Sequence, residues 1–191
     1  MKSISITMVT GNLGKWKIAS EIFSKYKINL LHEKMDTPEI QSRSVEEVSK
    51  YSALYAAKKL NTPVIKSDVG YYIEELNGFP GPFLKYINSM LTSEDIIKLM
   101  VNKHNRAIKL KECLTYATPE GEVKQFLSIE EATISTEPKG KGSTFDKIVI
   151  FKGQTLPKAM NSEEENFKHF QEQLKIYDEV AKYLTNKEGE I

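Results

Sequence analysis

Three stretches of this sequence hold residue types at spacings that chemistry can use. The first is Thr10-Gly11-Asn12-Leu13-Gly14-Lys15. Glycines let backbone N–H groups come close to a phosphate, a helix beginning near Lys15 adds the positive end of its dipole, and the lysine adds a full charge. A tight strand-to-helix turn also needs glycine on steric grounds, so both readings stand at this point. The second is Asp68, which closes Pro63-Val64-Ile65-Lys66-Ser67-Asp68 and precedes Val69-Gly70. An acid ending an apolar strand is a common position for a metal-binding carboxylate in α/β enzymes, and equally for an aspartate that only forms a turn. The third is the basic loop Glu137-Pro138-Lys139-Gly140-Lys141-Gly142-Ser143-Thr144, followed by Phe145 and Asp146. Lys139, Lys141 and Lys147 could meet phosphates, although loop lysines are more often simply solvated.

The elements that must position these residues follow from periodicity. Ile4 to Val9 reads as a strand. Trp16, Ala19, Ile22, Phe23 and Tyr26 recur at helical spacing, giving a helix whose apolar stripe packs on a sheet. Ile28 to Leu31 reads as a second strand and Met35 to Gln41 as a loop, because Pro38 cannot continue a helix. Ser44-Val45-Glu46-Glu47 has capping-box spacing and opens a helix to about Leu60. After the strand ending at Asp68, Tyr71 to Leu76 extends as a strand, and Asn77 to Phe83 forms a proline- and glycine-rich loop. Two short helices follow, Phe83 to Leu91 and Thr92 to Asn102, the second capped by Thr92 or Ser93. From Arg106 the period becomes two, predicting a β-hairpin that turns at Thr118-Pro119-Glu120-Gly121 and returns over Val123 to Ile134. Phe145 to Phe151 reads as a strand carrying Asp146. A second capping box, Ser162 to Glu165, opens a long amphipathic helix through Phe167, Phe170, Leu174, Tyr177, Ala181 and Leu184. The expectation is one α/β domain over residues 1–191, with about 106–136 forming a hairpin lobe.

Composition narrows the function classes. The 191 residues are 40% hydrophobic and 28% charged with a net charge of +1, which suits a folded domain and gives no bulk reason to bind nucleic acid. No aromatic residues interleave with Lys139 and Lys141, as a single-strand-binding surface would require. The single Cys113 allows no intramolecular disulfide and points to a reducing, cytoplasmic setting. No run has the length of a membrane span, and neither a nucleic-acid nor a membrane partner is expected.

Thr10-Gly11-Asn12 with Lys15, Pro38-Glu39-Ile40-Gln41, Ser67-Asp68-Val69-Gly70 and Leu76-Asn77-Gly78-Phe79-Pro80-Gly81-Pro82 together resemble the inosine triphosphate pyrophosphatase family, in order and over nearly the whole chain. The resemblance implies an elongated mixed β-sheet flanked by helices, two lobes around a central cleft, and a homodimer. It implies Mg²⁺-dependent hydrolysis of a non-canonical nucleoside triphosphate to the monophosphate and pyrophosphate. By position, Thr10, Gly11, Asn12, Lys15 and Lys85 fall where the family holds the triphosphate. Glu39 and Asp68 fall where it places its magnesium carboxylates, with Asp68 also the candidate to orient or deprotonate the attacking water. The residue types suit that chemistry, since a triphosphate needs cations and N–H donors and Mg²⁺ prefers carboxylate and phosphate oxygens. No covalent nucleophile is required, so the lack of a Ser-His-Asp or Cys-His pattern is no objection.

The departures gather in the base-reading half. The family's aromatic-glycine-aromatic-aspartate stretch is Ser143-Thr144-Phe145-Asp146 here, so one stacking ring is missing while Phe145 and Asp146 remain as substrate-binding candidates. Its C-terminal lysine is Glu165, and its serine-histidine-arginine triplet is His169-Phe170-Gln171. Its glutamate in the first helix is Ile18, and its frequent acid before Asp68 is Ser67. His169 and Phe170 offer a substitute reader and stacker, or else Phe170 is core. Losing donors aimed at a purine O6 relaxes or redirects specificity. The alternative is a nucleotide-binding homologue with little turnover, acting as a sensor or interaction module.

Overall fold

The computed structural model describes residues 4–162, 164–166 and 175–189. Its first strand, β1 (Ile4–Val9), runs into α1 (Leu13–Lys25) and then β2 (Ile28–Glu33). Both β2 and β3 (Val64–Ile73) pair parallel to β1, and the connection to β3 is α2 (Val45–Leu60). Then come β4 (Phe79–Gly81), α3 (Leu84–Met90), α4 (Ser93–Leu99), β5 (Ala107–Ala117), β6 (Val123–Ile134), β7 (Val149–Phe151) and α5 (Lys175–Gly189). The strands form one seven-stranded sheet in the order β2-β1-β3-β5-β6-β7, with β4 on β3. It is mixed, since β3–β4 and β6–β7 are antiparallel.

The chain divides into two compact units, one of Met1–Asp68, Cys113–Ser128 and Gln171–Ile191, the other of Val69–Glu112 and Ile129–Phe170. The long strands of the expected hairpin, β5 and β6, are therefore each shared between the units. In the first unit, α2 buries Ala53, Ala56 and Ala57 against Val9, Val64 and Ala117. Small side chains on that face let the helix lie close on the strands. One face of α5 buries Ile176, Tyr177, Val180, Ala181 and Leu184, and the Tyr26 hydroxyl beyond α1 donates to Asp178 at 2.6 Å. In the second unit, Ile96 and Met100 pack with Ile108, Leu110, Ile134, Phe145 and Phe151.

The helix starts follow local chemistry. Ser44 caps α2 by accepting the Glu47 amide at 3.2 Å, but Glu47 does not reach back to Ser44 directly. Instead Ser42 relays, taking the Ser44 amide at 3.0 Å and donating to Glu47 at 2.6 Å. Thr92 and Asp95 form the reciprocal box at α4. Ser162 and Glu165 do the same, through the Ser162 amide to Glu165 at 2.8 Å and the Glu165 amide to Ser162 Oγ at 3.1 Å. Two regions differ from expectation. In the first, β3 runs unbroken through Asp68 to Ile73, so Asp68 lies mid-strand rather than at a strand end, Glu74–Leu76 is a 3-10 turn rather than strand, and the expected loop after it holds β4, paired with β3. The second is the strand expected from Phe145. Phe145 to Ile148 make a turn rather than a strand, closed by the Ile148 and Val149 amides on the Phe145 carbonyl at 3.1 and 2.9 Å. Only Val149–Phe151 pairs with β6.

Candidate functional site

The turn between β1 and α1 is built from its own side chains. The Asn12 amide donates to Thr10 Oγ1 at 3.1 Å, and Asn12 Oδ1 accepts the Lys15 amide at 2.9 Å, making Asn12 the N-cap of α1. These bonds shape the turn and leave the Thr10 hydroxyl proton and the Asn12 NH2 as the groups that can donate outward. Beneath it, His32 Nε2 donates to the Thr10 carbonyl at 2.8 Å, and Trp16 lies 5.5 Å from the His32 ring with its indole N–H on the Leu30 carbonyl. Trp16 is thus part of the support, as its helical spacing suggested. Gly11 is exposed, its φ lies outside the left-handed region, and nothing stands within 4 Å of where a side chain would begin. Neither backbone nor packing asks for glycine here, which removes the steric reading of that residue.

Across the first unit, Lys15 Nζ donates to Ser67 Oγ at 3.0 Å, at the residue preceding Asp68 on β3. The Tyr177 hydroxyl of α5 meets the same oxygen at 3.4 Å. Asp68 is half-buried and Glu39 sits exposed in the loop before α2. Both carboxylates act on Lys66. Burial pushes its ammonium below the usual lysine range, while the negative charges of Asp68 and Glu39 oppose that and Lys15 adds to it. Lys66 was missed by sequence reasoning. The signal was there, a lysine in an apolar strand two residues before an acid, since alternate residues share a side. Gly70, by contrast, has a packing reason: a Cβ there would come within 2.8 Å of the Tyr72 ring and 3.0 Å of the Gly81 backbone on β4.

In the second unit the expected residues are used differently. Phe145 is 1% exposed and stacked on Tyr71 with centroids 5.0 Å apart, so its ring is core and presents no face to a base. Asp146 braces its own loop, accepting from the Ser143 amide at 3.1 Å, the Ser143 hydroxyl at 2.8 Å and Lys158 Nζ at 2.8 Å. Burial alone would raise this carboxyl, but Lys158 and Ser143 outweigh it and hold it below the usual aspartate range. Lys139 pairs with Glu137 at 2.8 Å, and Lys141 is exposed. Lys85 is exposed in the first turn of α3. A cavity of about 500 Å3 lined by Glu74, Lys109, Glu131 and Lys152 contains none of the expected residues. His169, Phe170 and Gln171 lie outside the described residues.

The comparisons with known proteins meet this geometry. A sequence model of the Ham1 family matches residues 6–174. The chain belongs to the Ham1 family. Among relatives of this Ham1 chain is a dITP/XTP pyrophosphatase of Methanopyrus kandleri, 37% identical over 152 residues, covering 79% of this chain and 81% of the relative. Another is the dITP/XTP pyrophosphatase of Methanosarcina acetivorans, 31% identical over 183 residues and covering 95% and 98%. Of solved structures, a HAM1 protein from Coxiella burnetii matches with a TM-score of 0.79 at 18% identity, covering 96% of this chain and 99% of that one. The Staphylococcus aureus Ham1 protein matches with a TM-score of 0.78 at 22% identity over the same shares. At such identities the structures speak for the fold, and the α/β mixed sheet expected from sequence is theirs.

Ham1 pyrophosphatases generally need a divalent metal. Among the described residues no three His, Cys, Asp or Glu side chains gather into a metal cage. Asp68 and Glu39 offer two hard oxygen donors whose charges reach the same ammonium. That set fits a small hard cation, which typically takes one or two carboxylates and completes its coordination with substrate phosphates and water.

Proposed function

We propose that this chain is a Mg²⁺-dependent nucleoside triphosphate pyrophosphatase acting on inosine- or xanthosine-type nucleotides, or otherwise modified ones, with altered base recognition. The observation that carries the reading is the Lys15–Ser67 hydrogen bond, because it ties the glycine turn to the middle of β3, at the residue next to Asp68. Gly11, unexplained by packing, is explained by a phosphate lying against its backbone.

The triphosphate is held by the Thr10 hydroxyl, the Gly11 and neighbouring amides, the Asn12 NH2 and Lys15. Asp68 orients a water and takes its proton as the water oxygen bonds to the α-phosphorus. The bond from that phosphorus to the bridging oxygen breaks, and pyrophosphate leaves with the electron pair. Mg²⁺, held by Glu39 and Asp68, would offset the charge that develops on the phosphate oxygens. Base recognition is altered because Phe145 is core and because Glu165, exposed and bonded to Ser162, serves as a helix cap rather than a cation. We further read residues 1–191 as one ITPase-like domain that forms a homodimer in the cytoplasm. Among the described residues no helix is long and apolar enough to cross a membrane.

The test is pyrophosphate release, with orthophosphate followed in parallel, from a panel of nucleoside triphosphates with and without Mg²⁺. Metal-dependent pyrophosphate from a subset of bases supports the reading and identifies the base. Binding without release favours the second reading, a nucleotide-binding homologue, for which the loss of the Phe145 ring face is the supporting observation.

A further inference from the structure

We infer that Ser67 and Tyr177 are positioning residues that fix the Lys15 ammonium for the triphosphate, so that the C-terminal helix sets how tightly the substrate's phosphates are held. The inference rests on the reading of the β1–α1 turn as the phosphate site. A lysine carries four rotatable side-chain bonds and loses rotamer entropy when ordered, so an untethered one contributes little to a fixed phosphate geometry. Lys15 is tethered across 52 residues of sequence, at 3.0 Å from Ser67 Oγ.

The direction of each bond is set by chemistry. An ammonium only donates, so Ser67 accepts from Lys15. Tyr177 donates to the same oxygen at 3.4 Å, and its side chain is wholly buried, among the largest that are. A fully packed ring cannot swing, which makes its hydroxyl a fixed point. Ser67 then accepts twice with its two lone pairs, and its own proton is left to donate onward, in the direction of an acceptor such as a phosphate oxygen. The pair is also neutral. The two hydroxyls orient the ammonium without adding a charge of their own beside it. Tyr177 lies 110 residues from Ser67 and on a different element from Lys15, so the tether exists only when α5 is docked.

The experiment is a double-mutant cycle on ITP turnover, with inorganic pyrophosphate binding measured by calorimetry alongside. Tyr177→Phe removes one oxygen and keeps the packed ring, and Ser67→Ala cuts the tether from the other side should the first variant fold poorly. Each is expected to raise KM for ITP and weaken pyrophosphate binding by about threefold to tenfold, the scale of one lost hydrogen bond, with a smaller change in kcat. Ser67→Thr, which keeps the hydroxyl, should restore binding to within about twofold of the unaltered protein on the same scale. In a Lys15→Met background, Tyr177→Phe should cost nothing further. An effect of Tyr177→Phe that persists in that background means the tyrosine acts through general packing and overturns the proposal. So does a loss on Lys15→Met with Ser67→Ala and Tyr177→Phe both unchanged. If instead Lys15→Met binds pyrophosphate as well as the unaltered protein, the phosphate-site reading itself fails and the inference with it.

Discussion

The β1–α1 turn and the 139–146 loop have the same ingredients: glycines, lysines, a small hydroxyl residue and a nearby aspartate. Their glycines are there for opposite reasons. A side chain on Gly11 would meet nothing within 4 Å, while one on Gly140, held at φ +81°, would meet the Ala159 carbonyl oxygen at 2.6 Å. The aspartates differ likewise. Asp146 is enclosed by Ser143 and Lys158 as a brace for its loop, whereas Asp68 stands beside a lysine-bearing strand segment reached by a second carboxylate, Glu39. A loop whose composition is explained by its own folding has no composition left over for a ligand. The turn at Gly11 does, and function is assigned there.

The largest expected break in this comparison comes from exchanging each aspartate for its amide. Asp68→Asn should lower pyrophosphate release by about 10³-fold or more with the melting temperature preserved, as the proposed roles of base and metal ligand require. Asp146→Asn should instead cost stability, about 1–3 kcal/mol, by leaving the half-buried Lys158 interaction without its charge partner. Retained activity in Asp68→Asn, or a dead but fully stable Asp146→Asn, would reverse the assignment.

The glycines give the next contrast. Gly140→Ala should destabilise by about 2 kcal/mol or more, since it combines a positive φ with a backbone clash. Gly11→Ala should leave chemical denaturation unchanged, since a Cβ there meets nothing within 4 Å, and raise KM for the triphosphate about fivefold or more under the proposed phosphate site. Equal stability loss in both would show that the turn is glycine-rich for folding alone.

The smallest effect is in acid. Asp146 has its folded pKa held below the unfolded aspartate value of about 3.9, so its contribution is complete above that value and is lost as pH falls through the lower folded value. The stability gap between the unaltered protein and Asp146→Asn should therefore be widest near neutrality and close below about pH 4. Urea melts at several pH values would read it, and a gap that stays flat down to about pH 2 would mean Lys158 and Ser143 do not favour the ionised form.

Much of the fold was legible because it is local. The alternation of Ile4 to Val9, the Thr92–Asp95 and Ser162–Glu165 caps and the hairpin turn after Ala117 are specified by residues within four or five positions of one another. The misplaced strand at Phe145 fails for the same reason in reverse. Its residues have β propensity, but the Ser143–Asp146 hydrogen bonds close a turn first.

For the site, the sequence by itself determined which residues were available: a glycine turn, a lysine in the first turn of a helix, an acid in an apolar strand. Only the tertiary structure decided which of them are partners. That Lys15 reaches Ser67, that Tyr177 reaches the same oxygen and that Phe145 is stacked on Tyr71 depend on contacts between residues 52, 110 and 74 positions apart. Hydrogen bonds and ring packing act over a few ångströms. Sequence spacing reports such distances within a helix turn or a strand, and beyond that only the docking of one element on another brings the atoms together.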